Sequence, residues 1–113
     1  MDFAEPIGVD AAPAMKPRSV CAVVRAETMP GADKIFEAVL SQLAREVRGR
    51  ESGCESYVIT REMGSPNHFA VHMRFDGWSA FKAHAETDHV ERAMPDLTAL
   101  LAQPLSVELF LEV

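Results

Sequence analysis

The chain has 113 residues, one domain's worth, with 48% hydrophobic and 25% charged residues, as in an ordinary water-soluble globular fold. A formal charge of -6 and the lack of a basic stripe exclude nucleic acid as a partner, because displacing counterions needs clustered lysine and arginine. No apolar stretch approaches the roughly 20 residues that span a bilayer, and Lys16 with Arg18 are too few to form a membrane-binding cluster.

Residues 1–17 carry Pro6, Pro13 and Pro17 among several alanines. They show no helical or strand periodicity and no basic start followed by an apolar run. They are expected to form a flexible arm ahead of a domain over 18–113. From Ser19 to Glu27, Val20, Ala22, Val24 and Ala26 alternate with Cys21, Val23 and Arg25, which predicts a strand with both faces partly buried. Met29-Pro30-Gly31 breaks it. Ile35, Phe36, Val39, Leu40, Leu43 and Val47 then recur at helical spacing. Arg45, Arg48 and Arg50 suit the negative end of that helix's dipole, and Gly49 and Gly53 mark its exit. A second strand is expected over about 55–63 and a turn at Gly64-Ser65-Pro66-Asn67. A third strand places Phe69, Val71, Met73 and Phe75 on one face and His68, Ala70, His72 and Arg74 on the other, making a hairpin. Asp76 is the expected N-cap of a helix carrying Trp78, Phe81 and His84. Thr87 or Asp88 caps a second piece with Val90, Ala93 and Met94, which Pro95 ends or kinks. A last strand alternates over 105–111.

The order strand, helix, strand, strand, helix, strand is the ferredoxin-like βαββαβ pattern of an α+β protein. Both helices are expected on one sheet face, lined by Val20, Ala22, Val24, Phe69, Val71, Met73, Phe75, Val107 and Leu109. The other face, with Cys21, Val23, Arg25, Val58, Ala70, His72, Arg74 and Phe110, is too apolar for water and too polar for a monomer's core. A second copy packed sheet to sheet would resolve that, so a homodimer is expected. Cys21 and Cys54 have no metal spacing and no secretory context, which predicts reduced thiols in a cytoplasmic protein.

The residues with most chemistry lie in Phe81-Lys82-Ala83-His84-Ala85-Glu86-Thr87-Asp88-His89. Imidazole exchanges protons near neutrality, its ordinary pKa being roughly 6.5. Five positions apart, His84 and His89 would point roughly 140° apart on one straight helix, at about 100° per residue. A break near Thr87 would aim both at one pocket, for proton transfer or substrate orientation. The plainer alternative makes His89 a helix-capping group and His84 a wet surface residue. Tyr57 is either a donor to a substrate oxygen or a buried tyrosine with an ordinary partner. His68 and His72 share one side of a strand, but no carboxylate or cysteine motif joins them, so no metal site is expected. There is no phosphate loop or dinucleotide fingerprint, so no cofactor is expected. Cys54 has no evident base, which argues against a thiol enzyme.

Three segments fall in a telling order: Pro30-Gly31-Ala32 before the first helix, Gly53-Cys54-Glu55-Ser56-Tyr57 opening the second strand, and Ala83-His84 with Thr87 and His89. Over about residues 19–112 the chain thereby resembles the antibiotic biosynthesis monooxygenase family. The resemblance implies a dimer in which two ferredoxin-like units bring their sheets together as an α+β barrel. It implies one of several activities: cofactor-free oxygenation of phenols or hydroquinones, haem degradation, or isomerisation of a phosphorylated signalling molecule. Many members carry a glutamate on the third strand two residues before an aromatic; here that place holds Met73, before Phe75. The positions matching the haem-degrading branch are Val24, His84 and Met94, which argues against haem. The leading expectation is a cofactor-independent monooxygenase that oxidises a small aromatic phenol or hydroquinone with dioxygen. In it, His84 with help from His89 removes the phenolic proton, Tyr57 orients the substrate, and Val24, Phe69, Met73 and Phe75 form walls. Two alternatives stand beside it. One is a non-catalytic or stress-related small-molecule-binding barrel, favoured by Met73. The other is an isomerase of a small polar metabolite, which needs cationic groups in the pocket.

Overall fold

A computed structural model describes residues 18–113; the expected arm at 1–17 lies outside the described residues. Along the chain run β1 (Val20–Glu27), α1 (Asp33–Arg50), β2 (Cys54–Arg61), β3 (His68–Phe75), α2 (Trp78–Ala85), α3 (Asp88–Thr98) and β4 (Ser106–Leu111). The strands form one antiparallel sheet in the order β2-β3-β1-β4. This is the α+β, ferredoxin-like architecture the hydrophobic pattern predicts.

The period-two alternation of β1 and β3 sends Val20, Ala22, Ala26, Phe69, Val71, Met73 and Phe75 into the core beneath the helices. In β2 a bulge makes Glu55 an extra residue between the pairs Cys54–Phe75 and Ser56–Arg74. Beyond the bulge Tyr57 pairs with Met73 and joins the buried face. Helix α1 meets this layer with Phe36, Leu40, Leu43, Ala44 and Val47, a stripe at helical spacing.

Several local expectations are corrected. Ile35 belongs to the apolar pattern of α1 but is 59% exposed, one position off the buried stripe. Gly49 does not end α1, which continues to Arg50 with Glu51 as its C-cap. The second strand stops at Arg61, and Met63 lies in the exposed turn. Asp76 does not cap α2. Gly77 holds that position, with φ of 93° and no side-chain cap, while the Asp76 amide donates to the Gly53 carbonyl at 2.8 Å. Pro95 does not end α3, which runs on to Thr98. Pro95 and Glu91 are both exposed, so the carbonyl freed by the proline is open to solvent. Val107 and Leu109 do pair with Val24 and Ala22 on the helix side, yet they stay 54% and 46% exposed. β4 is the edge strand beside β1, and the helices pack on β2, β3 and each other rather than over it.

Candidate active site

Helices α2 and α3 are separated by a short break at Glu86 and Thr87. Thr87 is the N-cap of α3: its Oγ1 accepts from the Val90 amide at 3.4 Å and donates to the His84 carbonyl at 3.0 Å. The break redirects the chain so that His84 at the end of α2 and His89 at the start of α3 turn to the same place. Both are buried, with side chains 8% and 4% exposed.

What they turn to is a carboxylate that the sequence reading passed over. Glu51 lies between α1 and β2, its side chain only 10% exposed. His84 Nδ1 stands 2.8 Å from Glu51 Oε1 and 3.1 Å from Oε2, and His89 Nε2 is hydrogen-bonded to Oε2. One carboxylate therefore bridges both imidazoles. The backbone around Glu51 is fixed on both sides. Its own amide donates to the Val47 carbonyl at 3.0 Å, and two residues later Gly53 packs so closely on α2 that a Cβ there would lie 2.7 Å from the Ala80 Cβ. A side chain at 53 would push α2, and His84 with it, away from Glu51.

In front of His84 lies a cavity of about 300 Å³. Val24, Val71, Met73, Phe81, Met94 and Leu97 are among its walls, and among the described residues the only lining side chains that carry a nitrogen or oxygen are Tyr57 and His84. The two rings lie near each other, centroids 6.0 Å apart. Burial, and then the nearby charge of Glu51, push the Tyr57 phenol far above its ordinary value, so Tyr57 is a protonated donor at any physiological pH. Among the described residues no partner of its hydroxyl is found.

Val24, Tyr57, Met73 and His84 thus line one cavity. The other expected site residues stand elsewhere. Phe75 is fully buried beneath the site, its ring centroid 4.9 Å from that of His84 and 5.6 Å from that of Phe81. Phe69 is at the other end of β3, packed on Phe36 at 5.1 Å with the Arg61 guanidinium over its ring. His89 is behind Glu51 rather than on the cavity wall. Glu51 was missed because an acid at a helix exit resembles a solvated cap. The signal that points to it is its place two residues before a glycine that must pack against the histidine-bearing helix.

Among the described residues the remaining polar groups do not form a second centre of this kind. His72 Nε2 lies 3.2 Å from Thr60 Oγ1, and His68 bonds to Ser65, both on the sheet face away from the helices. Among the described residues no group of three or more histidine, cysteine or acidic side chains is placed to hold a metal ion. Burial, followed by the Glu51 charge, pushes the Cys54 thiol up, which disfavours a thiolate. A wider depression of about 540 Å³ runs along Arg25, Glu27, Arg61 and His68. Its arginines are engaged with acids, Arg25 with Glu108 and Arg61 with Asp33 and Glu37, and His68 Nε2 lies 3.7 Å from Glu27 Oε1.

The model of the family described as antibiotic biosynthesis monooxygenase matches residues 19–96. The chain belongs to this family. The match takes in the Glu51 bridge and the cavity residues except Leu97 near the end of α3, Leu105 and Val107. Among solved structures, a candidate antibiotic biosynthesis monooxygenase from Caulobacter crescentus CB15 is 23% identical, with a TM-score of 0.82 over 92% of this chain and 98% of that one. A second from Nitrosomonas europaea is 16% identical, with a TM-score of 0.81 over 88% and 94%. A conserved protein of unknown function from Bacteroides thetaiotaomicron, described as a possible oxidoreductase, is 15% identical, with a TM-score of 0.78 over 84% and 98%. At these identities the likeness is one of fold. Among curated proteins none matches the chain. Among the described residues of this family member, no helix is long and apolar enough to cross a membrane.

Proposed function

We propose that this member of the family is a cofactor-independent monooxygenase acting on a small aromatic phenol or hydroquinone with dioxygen. The observation that carries the reading is the cavity itself: an apolar chamber in which, among the described residues, the only side-chain nitrogen and oxygen atoms belong to one imidazole and one protonated phenol. Its volume of about 300 Å³ lies at the lower end of the about 300–1,000 Å³ usual for small-molecule sites, which favours a compact ring system.

His84 takes the phenolic proton. The anion, held in apolar surroundings, passes one electron to dioxygen, and the substrate radical and superoxide combine at a ring carbon that bears hydrogen. The proton on His84 returns to the peroxide oxygen. Loss of water, with the hydrogen of that carbon leaving as a proton, gives a carbonyl, so phenol and dioxygen yield quinone and water. All four electrons come from the substrate. Tyr57 donates to the substrate oxygen and steadies its charge.

Among the described residues the lining contains no lysine or arginine, which argues against an isomerase of a small polar metabolite that needs cationic groups. The non-catalytic binding reading keeps one specific support, Met73 in the place of the third-strand carboxylate, and Met73 does line the cavity. Oxygen uptake over a panel of hydroquinones and anthrone-like phenols separates the two. Wild type is expected to consume oxygen with at least one of them and His84→Ala to be slower by about 10²- to 10⁴-fold, the usual contribution of a general base. Binding without oxygen uptake across the panel would favour the binding module, and an active His84→Ala variant would remove His84 from the chemistry.

The working unit is proposed to be a homodimer joined through the sheet face away from the helices. That face exposes Val58 at 49% and Phe110 at 54% beside the ion pairs of Arg25 with Glu108 and of Arg74 with Glu55 and Glu112.

A further inference from the structure

Two buried imidazoles share one carboxylate, and only one of them reaches the cavity. An ionised carboxylate accepts hydrogen bonds and donates none, so each nitrogen that faces it carries the hydrogen. On His84 that nitrogen is Nδ1, at 2.8 Å from Oε1; on His89 it is Nε2. The opposite ring nitrogen of His84, Nε2, has no hydrogen-bond partner among the described residues. We propose, resting on the oxygenase reading above, that Glu51 is the positioning residue of this site. It fixes His84 as the Nδ1–H tautomer so that Nε2 is the base presented to the cavity, and His89 holds the carboxylate in place from behind.

When Nε2 receives the phenolic proton, the positive charge forms 2.8 Å from a carboxylate that is already in place. No group has to turn to meet it, which is the advantage of a preorganised charge, and no proton needs to leave Nδ1. The logic is that of a carboxylate orienting a catalytic imidazole in a hydrolase triad, here with a second imidazole as the anchor of the carboxylate. The groups around Glu51 permit it. His84 comes from α2 and His89 from α3. Tyr57 and Cys54 on β2 are kept neutral by burial and by Glu51's own charge. Arg48, at the end of α1, is turned to the Tyr57 carbonyl.

Ring-nitrogen NMR of the full chain labelled with 15N-histidine tests this, with His84 assigned by the signal that His84→Asn removes. The expected wild-type result at neutral pH is an Nδ1–H, Nε2-unprotonated ring. Glu51→Gln offers an amide donor to Nδ1 and is expected to move the proton to Nε2. With a hydroquinone that the wild type oxidises, it should lower kcat about 10²- to 10⁴-fold at nearly constant KM. Glu51→Asp should keep the tautomer and recover part of the rate, and His89→Leu should give mixed tautomers and an intermediate rate. A wild-type His84 that is Nε2–H or doubly protonated would overturn the proposal without any variant having to fold. So would Glu51→Gln with unchanged tautomer and kcat. If the Nδ1–H ring is found but no phenol is oxidised, the positioning role stands and the oxygenase reading falls. Turnover with an Nε2–H ring does the reverse.

Discussion

Tyr57 is held at 4% exposure with no partner for its hydroxyl among the described residues, so burying that O–H stabilises nothing in the fold, and in the proposed reading it is kept for the substrate. Tyr57→Phe is therefore expected to leave the melting temperature at neutral pH unchanged or slightly raised. In oxygen-uptake kinetics it should weaken substrate use by about 2- to 10-fold, the worth of a hydrogen bond of about 0.5–1.5 kcal/mol. The same residue gives a pH signature. Its phenol is raised in the fold above the ordinary value of about 10. Between that value and the higher folded one, the unfolded chain binds fewer protons than the native one, so stability is full below pH 10 and falls as pH rises above it. Urea unfolding at pH 8 and pH 11 should show a smaller alkaline loss in Tyr57→Phe than in wild type; equal losses would mean that Tyr57 is not the group responsible. His84 and Tyr57 were both legible in the sequence, one from its place at a helix break and the other from its place beyond Gly53-Cys54. Glu51 was not. Local sequence shows that a residue is acidic but not that two imidazoles from other elements close over it.

The elements were legible where periodicity was strong and turned out differently at their ends. The buried faces of β1 and β3 and the stripe of α1 follow directly from spacing. The limits of α1 and α2 and the persistence of α3 through Pro95 depend on tertiary contacts that spacing does not carry, such as the Asp76 amide bonded to Gly53. Placing β4 under the helices failed for a similar reason: alternation tells which side a residue faces but not whether a helix reaches the edge strand. The contact between Gly53 and α2 is the element-scale feature on which the site depends. Gly53→Ala would bring its Cβ to 2.7 Å from that of Ala80 and is expected to destabilise the fold by about 1–3 kcal/mol, as overpacking does. Chemical denaturation should show the loss, and adding Ala80→Gly should restore part of it despite the lower helix propensity of glycine. A Gly53→Ala protein of wild-type stability would contradict the packing argument. The strand order makes a second prediction. β1 and β2 are separated by β3, about 9.6 Å across two strand spacings, beyond the usual reach of a disulfide. Cys21 and Cys54, both free in the fold, should titrate as two thiols in the denatured, unreduced protein; finding none would require a bond between chains.

At the scale of the whole molecule, the mixed sheet face and the half-exposed apolar residues of β4 call for a partner, and a second copy is the proposed one. Sedimentation at micromolar concentration is expected to give a dimer, and Phe110→Arg a folded monomer, since Phe110 is 54% exposed and takes no part in the core. A stable wild-type monomer would contradict this assembly. In the proposed reading, the apolar cavity, His84 as base and Tyr57 as donor ionise a phenol away from water, and that ionisation is the central claim. Its most direct test is the anaerobic absorbance spectrum of a hydroquinone or anthrone-like phenol mixed with excess protein, at a pH where the free compound is neutral. Without dioxygen the reaction stops at the anion. The spectrum is predicted to be that of the bound phenolate with wild type and that of the neutral phenol with His84→Ala. A bound but neutral phenol in wild type, or the same phenolate band in both proteins, would contradict the account.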